Sequence, residues 1–95
     1  ERGIRTFETY TRNTLDLTAV PIIQKETGLP IVVDPSHGTG VRYLIKPMSI
    51  GAFSVGADGI MIEVHPNPSE ALCDGEQSLH FNEFEDLMKS IKIFM

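Results

Sequence analysis

Two short apolar runs, Ile31-Val32-Val33 and Ile60-Met61-Ile62, each break off into a polar turn, and a stretch with helical signals lies between them. The first run is β-branched and uninterrupted, as expected for a strand covered on both faces. It stops at Asp34-Pro35-Ser36-His37-Gly38, the second at Glu63-Val64-His65-Pro66. Short apolar strands alternating with helices imply βα units, a parallel sheet and right-handed crossovers. Two parallel strands do not make a stable sheet alone, so the pattern is that of part of a larger α/β fold.

The remaining segments fit that frame. Glu1 to Phe7 reads as a loop. Thr11 to Thr27 suits a helix, with Thr11, Arg12 and Asn13 at its start and Pro21 dividing it; Gly28 and Pro30 stop it. The strands are expected over 30–34 and 59–64, with Gly38-Thr39-Gly40 a flexible turn. A helix is expected over Val41 to Val55, its regular part beginning near or after Pro47. Ala57-Asp58-Gly59 is a turn, and a polar loop runs from Pro66 to about Ser78. Phe84, Leu87, Met88 and Ile91 share one face of an amphipathic helix over Asn82 to Phe94.

Composition narrows the partners. Net charge is −5, and Arg2, Arg5 and Arg12 form only a small local cluster, which argues against nucleic acid. No apolar run reaches the roughly 20 residues that span a bilayer, and no signal peptide opens the chain, so no membrane role is expected. The single cysteine, Cys73, cannot form an intrachain disulfide, and a reducing, cytoplasmic compartment follows. The first residue is Glu1 rather than Met, and the 95 residues are expected to be an excerpt or processed product.

Active sites of α/β barrels and open α/β sheets lie beyond the C-terminal ends of the strands. His37 follows the first strand, Glu63 and His65 end the second, and Asp74 lies in the loop beyond. Glu63 and His65 are spaced to share a face. One imidazole with two carboxylates suits a divalent metal such as Mn²⁺, Fe²⁺ or Zn²⁺. Each residue has an ordinary reading as well. His37 can be a hydrogen-bonded turn residue, Asp74-Gly75 a turn pair, His65 a loop shaper, Arg2 a surface arginine, Cys73 packing and His80 a solvated residue near a helix start. Glu63 stands apart, because it abuts a buried apolar run where an unpaired carboxylate is costly.

Taken as a set, the motifs are specific. The stretches ERGIRTFE (1–8), RNTLDLTAVPI (12–22), LPIVVDPSHGTG (29–40), GADGIMIEVHPNP (56–68) and ALCDGEQSL (71–79) occur in order over nearly the whole chain. The chain resembles the C-terminal part of 3-deoxy-D-arabino-heptulosonate 7-phosphate (DAHP) synthases of the type I β branch. That family is a (β/α)8 TIM barrel. It condenses phosphoenolpyruvate with erythrose 4-phosphate at the head of the shikimate pathway to aromatic amino acids, and its members are transferases, also called aldolases.

The resemblance implies roles residue by residue. His37, Glu63 and Asp74 match three of four protein ligands of a divalent metal. Arg2 matches an arginine that binds the phosphate of phosphoenolpyruvate, and His37 lies close to that substrate. Asp34 joins His37 as a catalytic candidate, while Arg5, Ser36 and His65 receive no direct role. The fourth ligand, a cysteine on an early strand, and a Lys-Pro-Arg-Thr segment are missing, and Cys73 does not replace that cysteine. A complete barrel needs about 250 residues. Residues 1–95 therefore read as the C-terminal fragment of a single barrel domain: its last two strands with their helices, and a preceding loop and helix. The fragment alone is expected to be inactive, its partner the remainder of its own barrel, and the assembly a homo-oligomer, tetrameric in the family. Two alternatives carry distinct expectations: a 3-deoxy-D-manno-octulosonate 8-phosphate synthase acting on arabinose 5-phosphate, and a non-catalytic self-associating half-barrel.

Overall fold

The computed structural model describes residues 1–71 and 75–94. Asp74 and Cys73 lie outside the described residues. Helix α1 spans Ala19–Thr27, strand β1 Val32–Val33, helix α2 Pro35–Thr39, helix α3 Arg42–Ser54, strand β2 Gly59–Ile60 and helix α4 Phe81–Ile91, with 3-10 turns at Pro68–Glu70, Gly75–Gln77 and Lys92–Phe94.

The two strands pair in parallel, Val32 opposite Gly59 and Val33 opposite Ile60. Asp58 N donates to Ile31 O at 3.0 Å and Met61 N to Val33 O at 2.8 Å, the slanted ladder of parallel pairing. Glu1 occupies the far edge of β1: its nitrogen donates to Val32 O at 2.7 Å, and its carbonyl accepts from Asp34 N at 2.8 Å. Beyond β2, Leu79 bridges in parallel to Val64.

The connecting helices bury one face of this ladder in two apolar clusters. One gathers Val20 of α1, Ile31, Val33, Ala52 of α3 and Ala57. The other gathers Ile45 of α3, Leu79, and Leu87 and Ile91 of α4. Ile60 packs against both, so β2 joins them. Asp58 adds a polar tie, its carboxylate accepting from Ile31 N at 2.8 Å and from the Gln24 amide of α1 at 3.2 Å.

Four expectations are corrected. The first strand is not covered on both faces: Val32 is 47 % exposed, as is Met61 just past β2 at 58 %, because among the described residues the helices pack on the Val33 and Ile60 face. The helix expected from Thr11 begins only at Ala19. The Arg12 and Asn13 side chains read as a helix start bond Gln77 and His37 instead, and Pro21 sits in the first turn of α1, where its missing N–H costs nothing. Helix α3 starts at Arg42, before Pro47 rather than after it. The carbonyl that Pro47 frees belongs to exposed Tyr43, so water can satisfy it. Gly38 and Thr39 belong to a short helix, not a flexible turn, because Asp34 caps it and Pro35 fills its first position.

Candidate active site

The abrupt stop of β1 places His37. Asp34, the last residue of the apolar run, turns out of the strand direction and caps α2, Oδ1 accepting from His37 N at 3.0 Å. Its other oxygen, Oδ2, lies 2.7 Å from His37 Nδ1. Asp34 is 6 % exposed, so both oxygens are committed to His37 in a buried setting. In the neutral ring, a carboxylate on Nδ1 makes that nitrogen the N–H donor and leaves Nε2 as the acceptor.

Nε2 then meets Glu63. It stands 3.3 Å from Glu63 Oε1, with the two side chains 18 % and 35 % exposed. Ser36, fully buried in the same short helix, fixes the register between them, its Oγ accepting from Glu63 N at 3.0 Å. On the other side Leu79 N donates to Glu63 O at 2.9 Å. A lone pair and a carboxylate oxygen at this range repel unless a proton or a cation stands between them. Nitrogen and oxygen ligands held about 2.1 Å from a divalent ion, in tetrahedral or octahedral arrangement, stand about 3.0–3.4 Å apart. The observed separation and donor types therefore fit a metal, and the Asp34–His37 bond is the outer support such a histidine ligand usually has. Among the described residues, no group of three or more His, Cys, Asp or Glu is placed to hold a metal ion.

Beside His37 opens a cavity of about 290 Å³ lined by Arg2, Gly3, Arg5, Arg12, Asn13 and His37. An antiparallel bridge, Ile4 with Thr14, folds residues 4–14 back on themselves and brings the three arginines to one place. The approach is close. Gly3, at φ +102°, lies against Asn13 and Gly38, where a Cβ would come within 2.7 Å of Asn13 Cβ. Gly40, at φ +68°, lies under Arg12, whose Cβ would be 2.7 Å from one built there. Asn13 Nδ2 donates to His37 O at 3.2 Å, and Arg12 N to Thr39 O at 3.0 Å. Guanidinium forks converging on a small concavity suit a phosphate or carboxylate.

The structure thus brings His37, Glu63 and Asp34 together and sets Arg2 and His37 in one cavity. It separates two other histidines from them. His65 Nδ1 accepts from Asn67 N at 2.9 Å and shapes its loop. Half-buried His80 precedes α4, its N–H donating to Glu83 Oε1 at 2.8 Å. Sequence reasoning passed over Arg5, Arg12 and Asn13 as site residues. The local signal is limited to Arg2, Arg5 and Arg12 falling within eleven positions, which says nothing of Asn13 or of what Arg12 bonds to.

Fold and site together define an α/β protein of the barrel type, with an anion cavity and a metal-compatible His–Glu pair at the C-terminal ends of parallel strands. The chain belongs to the DAHP synthetase I family, whose model matches residues 1–93. A phospho-2-dehydro-3-deoxyheptonate aldolase of Thermotoga maritima is 61 % identical over 92 residues, covering 97 % of this chain and 27 % of that protein. A 2-dehydro-3-deoxyphosphooctonate aldolase of Desulfosudis oleivorans is 38 % identical over 93 residues, covering 86 % of this chain and 33 % of that protein. Among solved structures, a truncated 3-deoxy-D-arabino-heptulosonate 7-phosphate synthase from Thermotoga maritima superimposes with a TM-score of 0.96 at 60 % identity, covering 98 % of this chain and 36 % of that one. The chain therefore spans about a quarter to a third of the relatives it matches.

Proposed function

We propose that residues 1–95 are the C-terminal part of a DAHP synthase barrel domain. In the complete protein they supply one wall of a site that condenses phosphoenolpyruvate with erythrose 4-phosphate. The observation that carries this reading is the His37–Glu63 pair opening beside the three-arginine cavity, at 3.3 Å and at adjacent strand ends. The family match supports it, and so does the 61 % identity to an aldolase of that name.

In this reading the cavity arginines, Arg2 first, bind the phosphate of phosphoenolpyruvate through paired N–H groups. His37 lines the same cavity. Asp34 acts through His37 and does not touch substrate, so its role is positioning. His37 Nε2, Glu63 and Asp74 would hold a divalent ion, with a further ligand from outside this chain; the ion supplies Lewis-acid polarisation of the sugar aldehyde. C3 of phosphoenolpyruvate attacks that aldehyde, water adds at C2, and phosphate leaves by C–O cleavage. The balance is one water consumed and one phosphate released per DAHP formed.

The partners in this account are the two substrates, the rest of the barrel and further copies of the whole protein. Among the described residues no helix is long and apolar enough to cross a membrane; the cytoplasmic assignment rests on the lone cysteine. The test is turnover by the complete protein with Mn²⁺. Phosphate release with phosphoenolpyruvate and erythrose 4-phosphate, and little with arabinose 5-phosphate, supports this reading. The reverse preference assigns the chain to the octulosonate branch, and no release with either overturns the enzymatic account.

A further inference from the structure

Arg12 touches three parts of the site at once. Its backbone N–H donates to Thr39 O at 3.0 Å, at the end of the helix that carries His37. Its stem lies over Gly40, and the residue lines the anion cavity. Its Nη1 donates to Gln77 Oε1 at 3.1 Å, across 65 positions of sequence. Gln77 is 2 % exposed, and its Nε2 is buried with no hydrogen-bond partner among the described residues. A buried amide left half-satisfied is costly, so the bond it does make constrains where the segment can sit. Two residues on, Leu79 accepts from His65 N and donates to Glu63 O, both at 2.9 Å. A continuous path thus runs from the His37 helix through Arg12, Gln77 and Leu79 to the backbone of Glu63. The Ser36 hydroxyl closes the loop from the other side.

We infer that Arg12 and Gln77 are a positioning pair that sets the His37–Glu63 spacing, and through it metal affinity. Arg12 at the same time lines the anion cavity. The inference rests on the reading of His37 and Glu63 as metal ligands. Neither Arg12 nor Gln77 contacts the ion. They act as outer supports, whose loss typically weakens metal binding about 10–100-fold.

The test is a double-mutant cycle on the complete protein, reading Mn²⁺ binding to the metal-free form by calorimetry without substrate. Arg12→Ala and Gln77→Ala should each weaken Mn²⁺ at least about 10-fold, and the double variant should be no weaker than the worse single one. Excess Mn²⁺ should restore kcat in Gln77→Ala, which a general loss of folding would not allow. Gln77→Glu, which keeps an acceptor for Arg12, should bind Mn²⁺ nearly as the parent does. If Arg12→Ala does not fold, Arg12→Lys carries the same prediction, because it keeps the stem over Gly40 and removes the fork. Unchanged Mn²⁺ affinity in the Arg12 and Gln77 variants, with a raised KM for phosphoenolpyruvate in the Arg12 variant alone, overturns the inference and leaves Arg12 a simple anion ligand. His37→Ala and Glu63→Ala serve as controls. If they bind Mn²⁺ as the parent does, the metal reading of the site fails and this inference fails with it.

Discussion

The chemistry of His37 is decided by the carboxylate behind it. With Asp34 Oδ2 at 2.7 Å from Nδ1, the other ring nitrogen is left as an acceptor facing Glu63. Asp34→Asn should reverse this. The amide can still cap α2 through its oxygen, but its NH₂ would face Nδ1 and move the ring proton to Nε2, where it blocks a metal. Mn²⁺ affinity of the complete protein should fall by about 10–100-fold, with the unfolding midpoint nearly unchanged. An unaltered affinity by calorimetry would show that the tautomer does not matter. Glu63 could be singled out in the sequence because it directly follows an apolar run where an unpaired carboxylate is costly, and His37 because it lies just beyond a strand end. Arg12 and Asn13 were not. Their hydrogen bonds go to Thr39, Gln77 and His37, partners 24 to 65 positions away that no local pattern reveals.

At the scale of elements, the amphipathic face of α4 is the clearest case of pattern becoming packing. Leu87 and Ile91 are buried against Ile45 and Leu79, while Lys89 and Glu85, on the opposite face, pair at 3.5 Å in water. Leu87, with no exposed surface, should be the anchor, and Leu87→Ala is expected to cost about 2–5 kcal/mol by chemical denaturation of the complete protein. A change in the Lys46–Asp86 pair, 2.7 Å apart but on exposed side chains, should cost under about 1 kcal/mol. Equal effects at the two places would mean that α4 is not held by this core. Both strands, α4 and the end of α3 could be read from periodicity and stop signals, while the start of α3 lay before Pro47. The start of α1 could not be read, because Thr11 to Leu17 has helix-like spacing yet runs through bends and a bridge to Ile4, with Arg12 N and Asn13 Nδ2 bonded to α2. Nor could α2 be read, since Pro35-Ser36-His37-Gly38-Thr39 has poor helix propensity and forms only because Asp34 caps it.

The described residues form an open piece of a parallel sheet, with helices on one side and Val32 and Met61 exposed on the other. Val32 and Met61 point from the uncovered face, and Phe7 is 100 % exposed at the tip of the arginine loop. A groove of about 630 Å³ between β2 and α4 is lined by Ile60, Ile62, Phe84 and Met88. Such apolar surface favours association. The isolated 95-residue chain should therefore bind a hydrophobic dye, self-associate and show no turnover; a monodisperse, active chain would refute the reading as one part of a barrel. The parallel architecture was legible because uninterrupted apolar strands occur with helical crossovers, and the missing cover was legible from the strand number. Which face stood open was not, since Ile31, Val32 and Val33 look alike in sequence and differ only in what packs on them.

The central claim is that His37 and Glu63 share one divalent ion. Mn²⁺ titration of the complete, metal-free protein tests it most directly. The account predicts one tight Mn²⁺ per chain, lost in both His37→Ala and Glu63→Gln while each variant keeps its fold by circular dichroism. Tight binding of one Mn²⁺ that survives both substitutions would contradict it.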